Sequence, residues 1–280
     1  MRIVCGLTVW AAVAAGLCAL GAQQLASPLP APLQLMQEVE QHQRQLDKVR
    51  EDYTYTSLVT TEDVDSGGRV TKTEVMENEQ FFVNGHQIQR TVKKNGKPLE
   101  GKELDQETER VTRRVELAQS RPAGQVLDMH TLSIRKLLET MDVNNPRRQN
   151  FRGRPTILFD FAGRRNARTH GLEEDLSKKL EGTLWIDEAD RQVAHIEVRF
   201  NDNFRVAGGI VASIQRGSNF SFDQAPVSGG LWLPTGGEGS VEARFLLVKG
   251  LRQRFHERDF DYKRFHAEAL PGKDAHVVGK

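Results

Sequence analysis

Apolar residues along the chain keep two different periods, and the switches between them mark the elements. Leu35, Val39, His42, Leu46 and Val49 recur at spacings of 4, 3, 4 and 3, the repeat that gathers side chains on one face of a helix. Between residues 53 and 95 the period shortens to two. Tyr53-Thr54-Tyr55-Thr56, the run from Arg69 to Val83 and the run from His86 to Lys94 are rich in β-branched and aromatic residues, which predicts long antiparallel strands. Ser66-Gly67-Gly68 and Asn84-Gly85 separate them. Asn-Gly accepts positive φ at both turn positions and so closes a tight hairpin.

The stretch from about 99 to 145 is charged and reads as a helical insert. Leu104, Thr108, Val111, Val115 and Ala118 mark one stripe, Ile134, Leu137, Leu138 and Met141 another, and Pro122-Ala123-Gly124 and Asn144-Asn145-Pro146 punctuate them. Glu107 with Arg110 and Glu109 with Arg113 stand at helical spacing, the mark of a solvated face. Strand patterns return at Arg154 and run to Tyr262, with a short helix at Leu172, Leu176 and Leu180 and glycine pairs such as Gly229-Gly230 and Gly236-Gly237 expected in the loops.

The clearest hairpin pairs Leu184 and Ile186 with Ala194, Ile196, Val198 and Phe200 across a turn at Asp187 to Arg191. Antiparallel registry puts these residues on one face and Trp185, His195, Glu197 and Arg199 on the other. One-sided alternation predicts a sheet covered on one face and wet on the other. The expected fold class is α+β and mainly β. It is one large, curved antiparallel sheet, an unclosed half-barrel, with helices covering the concave face.

The first residues place this sheet outside the cytoplasm. Met1-Arg2 carries a positive charge, Ile3 to Leu20 carries none, and small residues precede position 22. Residues 1–21 therefore read as a signal peptide cleaved between Gly21 and Ala22, an uncleaved anchor being the alternative. Lipidation of Cys18 is disfavoured by Leu17 before it. Both cysteines leave with the peptide, so no disulfide is expected. A proline-rich tether spans 22–32, one domain spans 33–265, and a loose tail is expected over 266–280. The formal net charge is only +1, so nothing suggests a nucleic-acid partner. With 38% hydrophobic and 28% charged residues and no second long apolar run, membrane contact is expected to be peripheral or transient at most.

The search for chemistry finds structural readings throughout. The eight histidines never pair at metal-ligand spacing, and His256 and Glu257 would fall on opposite strand faces. No metal or cofactor is expected. Gly217-Ser218 and Gly239-Ser240 lack a nucleophile elbow. Glu173-Glu174-Asp175 suits a helix N-terminus. Arg147-Arg148 with Arg152 and Arg154 forms a basic cluster that reads as solvated. His195 and Glu197 share a strand face and are the nearest approach to a catalytic pair, but on a wet sheet such a pair is ordinarily solvated.

Gly182-Thr183-Leu184-Trp185-Ile186-Asp187, followed by Val193 to Phe200, is similar to a hairpin of outer-membrane lipoprotein-sorting proteins. The order of helix, β-meander, helical segment and closing strands, from about Leu33 to Tyr262, resembles the lipoprotein-carrier superfamily. That resemblance implies an unclosed barrel whose apolar face accommodates acyl chains, with Phe159, Leu184, Ile186, Ile196, Val198 and Phe200 lining the cavity. The chain departs from the pattern in its helical insert and its length. The expected function is a periplasmic or secreted, non-enzymatic protein that shields a lipid or an acylated protein. The alternative is a cell-envelope structural or interaction module with a filled core and an envelope protein as partner.

Overall fold

The structure, a computed structural model, describes residues 28–50, 52–121, 140–164, 166, 172–206, 212–245 and 249–264. The expected signal peptide and its cleavage site, the stripe from Ile134 to Leu138, and the tail lie outside these residues. In chain order the elements are α1 (Pro32–Arg50), β1 (Tyr53–Val64), β2 (Val70–Val83), β3 (His86–Lys94), β4 (Lys97–Pro98) and α2 (Gly101–Ser120). There follow β5 (Met141–Phe151), β6 (Arg154–Gly163), α3 (Leu172–Ser177), β7 (Leu180–Asp187), β8 (Val193–Phe200), β9 (Phe204–Val206) and β10 (Ala212–Ile214). The last three strands are β11 (Asn219–Pro226), β12 (Trp232–Phe245) and β13 (Lys249–Arg264).

All 13 strands belong to one sheet, in the order β4-β3-β2-β1-β13-β12-β11-β8-β7-β6-β5, with β10 and β9 attached to the far end of β12. Every pairing is antiparallel, and the end strands β4 and β5 do not meet, so the sheet is unclosed. Tight turns make this meander possible. Asn84 and Gly85 take φ of 51° and 73°, and Asn95 and Gly96 take 50° and 77°, as primed hairpin turns require.

The two ends of the sheet are protected differently. β4 pairs with β3 only at Lys93 and Lys94, and α2 covers what lies beyond. The Glu107 carboxylate accepts the Thr91 N–H at 2.6 Å, and Arg110 donates to the Gln89 carbonyl at 2.6 Å. An edge strand's unpaired backbone is thus satisfied by helix side chains. Burial raises the Glu107 carboxyl, but the bonds from Arg110 and Thr91 outweigh it and hold the group below its ordinary value. Glu107 and Arg110 were expected on a solvated face and instead turn inward beside Val111, Val115 and Ala118, leaving Leu104 and Thr108 exposed.

At the other end, β5 begins at Met141, so Met141 to Asn145 form strand where a helical insert was expected. Asn144-Asn145-Pro146 forms no boundary. It is a bulge, with the register shifting between Asn144 and Arg147 and Asn145 at φ 57°. Proline is tolerated on an edge strand because its missing N–H breaks no ladder.

The core lies on one side of β5–β8, hereafter the inner face. Leu35, Met36 and Val39 of α1 are fully buried against Met141, Ile157, Phe159, Leu184, Ile186 and Val198, among others. Each such side chain contributes about 1.5–3 kcal/mol on burial. The expected helical stripe is narrower than predicted, since His42 and Val49 are exposed and Met36 takes part. Ion pairing of Glu38 with Arg191 at 3.0 Å, and a His42 Nδ1 contact to the Asp190 carbonyl at 3.2 Å, fasten α1 to the β7–β8 turn.

Candidate functional site

The inner face is read most directly along one row of cross-strand partners. Phe159, Leu184, Ile196, Phe222, Gly237, Glu257, Val59 and Met76 stand opposite one another in turn across β6, β7, β8, β11, β12, β13, β1 and β2. Direct partners share a face, so this row crosses the inner face from its apolar end to its polar end.

The apolar end gathers the six residues expected to line a cavity. Phe159, Leu184, Ile186, Val198 and Phe200 are buried in a single cluster with α1 seated on them, and only Ile196 remains half-buried at its margin. As folded, this part of the face is packed. Openness begins beyond Ile196, where Phe220, Phe222 and Phe255 are half-buried and Gly237 and Gly239 carry no side chain. A Cβ on Gly237 would lie 2.7 Å from the Ser221 carbonyl and 3.2 Å from the Phe222 ring. One on Gly239 would lie 2.5 Å from the Phe255 ring. These glycines let the Phe222 and Phe255 rings lie over the β12 backbone, making a half-buried aromatic strip on the inner face. Gly236-Gly237 was expected in a loop, yet it sits within β12, because the bulky partners on either side demand a residue without a side chain.

The polar end was not foreseen. Ser57 stands directly between Asn78 on β2 and Asp259 on β13. Ser57 and Asn78 are fully buried and Asp259 is 6% exposed. Ser57 Oγ donates to Glu257 Oε1 at 2.5 Å, while Asn78 Oδ1 and Nδ2, both Asp259 carboxyl oxygens and Thr235 Oγ1 are buried without partners among the described residues. Burial, reinforced by the neighbouring Glu257 carboxylate, pushes the Asp259 carboxyl up to about 8. The strand alternation did place these residues on one face, but only the pairing of β1 with the remote β13 brought Asp259 beside Ser57 and Asn78.

The outer face is not uniformly wet. The β7–β8 register slips between Trp185 and Ile186, making Ala194 the extra residue of a bulge. Ala194 therefore turns outward to pack with Leu158, Trp185 and Trp232, while Val193 takes the inward place expected for it. Glu197 is exposed as expected, but His195, against the expectation that it is solvated, is 8% exposed. Its ring stacks on Phe151 at 5.0 Å and meets Trp185 edge-on at 4.8 Å. Nδ1 lies 2.6 Å from Asp223 and Nε2 3.3 Å from Glu197, and Arg152 pairs with Asp223 at 2.9 Å. Burial lowers the His195 pKa, but the two carboxylates outweigh it and raise it above 6.5. Arg152 and Arg154, expected in a solvated basic cluster, lie over the Phe151 and Trp232 rings.

Asp187 ends the Leu184-Trp185-Ile186-Asp187 run. It is 1% exposed, accepts the N–H groups of Ala189 and Asp190 and pairs with Arg154. The run thus alternates core, outer cluster, core and turn keystone. A depression of about 380 Å³ with a mixed polar and apolar lining lies along β1, β13 and β12, bordered by Thr60, Glu62, Glu238, Gly239, Arg254, Phe255 and His256 among others. It contains none of the six expected cavity residues. Among the described residues no three His, Cys, Asp or Glu side chains are grouped to hold a metal, and no helix is long and apolar enough to cross a membrane.

No protein-family profile and no curated protein matches the chain in sequence. Solved structures do resemble it. A LolA superfamily protein from Nitrosomonas europaea matches at 11% identity and a TM-score of 0.34, over 84% of this chain and 94% of that one. An outer membrane lipoprotein-sorting protein domain from Vibrio parahaemolyticus matches at 10% identity and 0.39, over 84% and 95%. The Pseudomonas aeruginosa MucA/MucB complex contains a chain that matches at 10% identity and 0.25, over 82% and 100%. The LolA superfamily and lipoprotein-sorting names among these structures are of the kind that the hairpin and the order of elements resemble.

Proposed function

We propose that the protein is an exported, non-enzymatic carrier or sensor that shields a lipid or the acyl chain of a lipoprotein on the inner face of its sheet. The observation that carries this reading is the half-buried apolar strip of Ile196, Phe220, Phe222 and Phe255 at the margin of the cluster that α1 covers. Apolar side chains left partly exposed next to a packed core lower the free energy of a chain laid over them by about 25 cal/mol per Å² removed from water. The ligand need not displace the five packed residues. Yielding of α1, held at the turn by Glu38 and His42, would extend the strip over them.

Native mass spectrometry of protein purified from a periplasm, followed by organic extraction, tests the reading. Stoichiometric lipid is expected, and Ile196→Glu, folded by circular dichroism, is expected to lose it. A ligand-free mass that persists after incubation with phospholipids and a lipopeptide would overturn the proposal. The packed cluster under α1 favours one second reading, an envelope interaction module with a filled core, which that ligand-free result would support.

A further inference from the structure

The polar end of the row calls for its own explanation. Five buried polar atoms on Asn78, Thr235 and Asp259 are unpartnered, and leaving such groups unsatisfied costs about 1–3 kcal/mol each. Ser57 ties Glu257 into the same patch. With Asp259 ionised, two carboxylates and an amide oxygen outnumber the one free amide N–H₂, the Thr235 hydroxyl serving either way, so the patch alone relieves the excess by keeping a proton on Asp259 that a bound cation would replace.

A primary ammonium matches this imbalance, because it offers three donors and no acceptor. A bare metal ion matches it less well, because it would leave Asn78 Nδ2 without an acceptor. An ammonium attached to a phosphate or ester would serve that group too. The patch is also continuous with the aromatic strip. Ile196, Phe222, Gly237 and Glu257 are successive partners on four strands, so Glu257 lies about 14 Å from Ile196 at the usual strand spacing. Both lie on one face, with only the glycine between Phe222 and Glu257.

We infer that Asn78, Glu257 and Asp259 form a headgroup site that selects amphiphiles bearing a primary ammonium, whose apolar chain lies toward Ile196. This rests on the lipid-shielding reading and names its substrate class. A quaternary ammonium carries the same charge but no N–H, and a glycerol head carries no cation, so neither engages the carboxylates in the same way.

The test compares lysophosphatidylethanolamine, lysophosphatidylcholine and lysophosphatidylglycerol of one chain length by isothermal titration calorimetry on the delipidated protein, with spermidine as a soluble amine. The ethanolamine lipid is expected to bind at least tenfold tighter than the other two. Asp259→Asn and Glu257→Gln are each expected to bring the three within about twofold without abolishing binding. Equal affinities in the unaltered protein would overturn the headgroup site while leaving the lipid reading intact. Absence of binding by all three would remove both. Spermidine binding more tightly than every lysolipid would overturn the amphiphile and leave only an amine site. Thermal melts of both variants separate loss of selectivity from loss of fold. If Asp259→Asn fails to fold, Glu257→Gln decides, because Glu257 is half-exposed and its Ser57 bond survives as an amide contact.

Discussion

Arg154 on β6 clamps the buried carboxylate of Asp187 at the end of β7, with Nε 2.5 Å from Oδ2 and one terminal nitrogen 3.0 Å from Oδ1. The same carboxylate caps the turn through Ala189 and Asp190, and Arg154 also reaches Asp190. The turn that α1 docks on is therefore tied to β6 through Asp187, alongside the Arg148 pair to Glu188 and the Trp232 bond to Asp190.

Asp187→Ala is expected to destabilise the protein by about 2–4 kcal/mol, because it strands turn N–H groups and an arginine together. Urea denaturation measures it. Burial raises the Asp187 carboxyl, but its Arg154 and backbone bonds outweigh that and lower it below 3.8. Its contribution is thus complete above the unfolded value and is lost as pH falls through the folded one. A variant equal in stability to the parent would show that the turn holds without it.

Gly182 opposes Val198 on β8 and Phe161 on β6. A Cβ there would collide with the Glu197 carbonyl and lie 2.7 Å from the Phe161 ring. Gly182→Ala is expected to cost about 3 kcal/mol through forced strand separation, whereas Gly250→Ala, with nothing within 4 Å of the new methyl, should change stability by less than about 0.5 kcal/mol. Melting temperatures compare the two, and similar shifts would contradict the close approach.

Two groups make stability fall as pH rises. The raised Asp259 carboxyl keeps its proton in the folded state up to about 8, so the native protein binds more protons than the unfolded chain from about pH 4 upward. Asp259→Asn is expected to remove this decline between pH 4 and 8, which amounts to a few kcal/mol. The raised His195 contributes stability fully present below 6.5 and lost as pH climbs through its folded value. His195→Gln should flatten the curve only above about pH 6.5. Melting curves across this range distinguish them, and an unchanged profile in Asp259→Asn would refute the buried neutral acid.

Much of the architecture was legible in the chain. Period-two alternation, Asn84-Gly85 and the hairpin from Leu184 to Phe200 specify strands, turn and inner face, because the side chain's direction follows from position along a strand. All six expected cavity residues do lie on the helix-bearing face. What alternation leaves open is whether a face is packed or vacant, since that depends on how closely α1 seats Met36 against it. Nor does a single-strand pattern reveal a bulge, so Ala194 and Val193 exchanged faces and Pro146 was read as a break.

The sequence by itself determined a β-rich chain with one apolar face, since local periodicity and turn chemistry act over a few residues. Only the tertiary structure decided that Asn78, Ser57 and Asp259 stand side by side, that phenylalanine rings lie over glycines of β12, and that His195 is buried between aromatic rings. The first joins β1 to β13 from opposite ends of the sheet-forming chain, the second packs rings from both neighbouring strands onto β12, and the third brings β5 and β11 to β8, and such pairing is fixed by the complementary packing of whole faces and by backbone hydrogen bonds between segments.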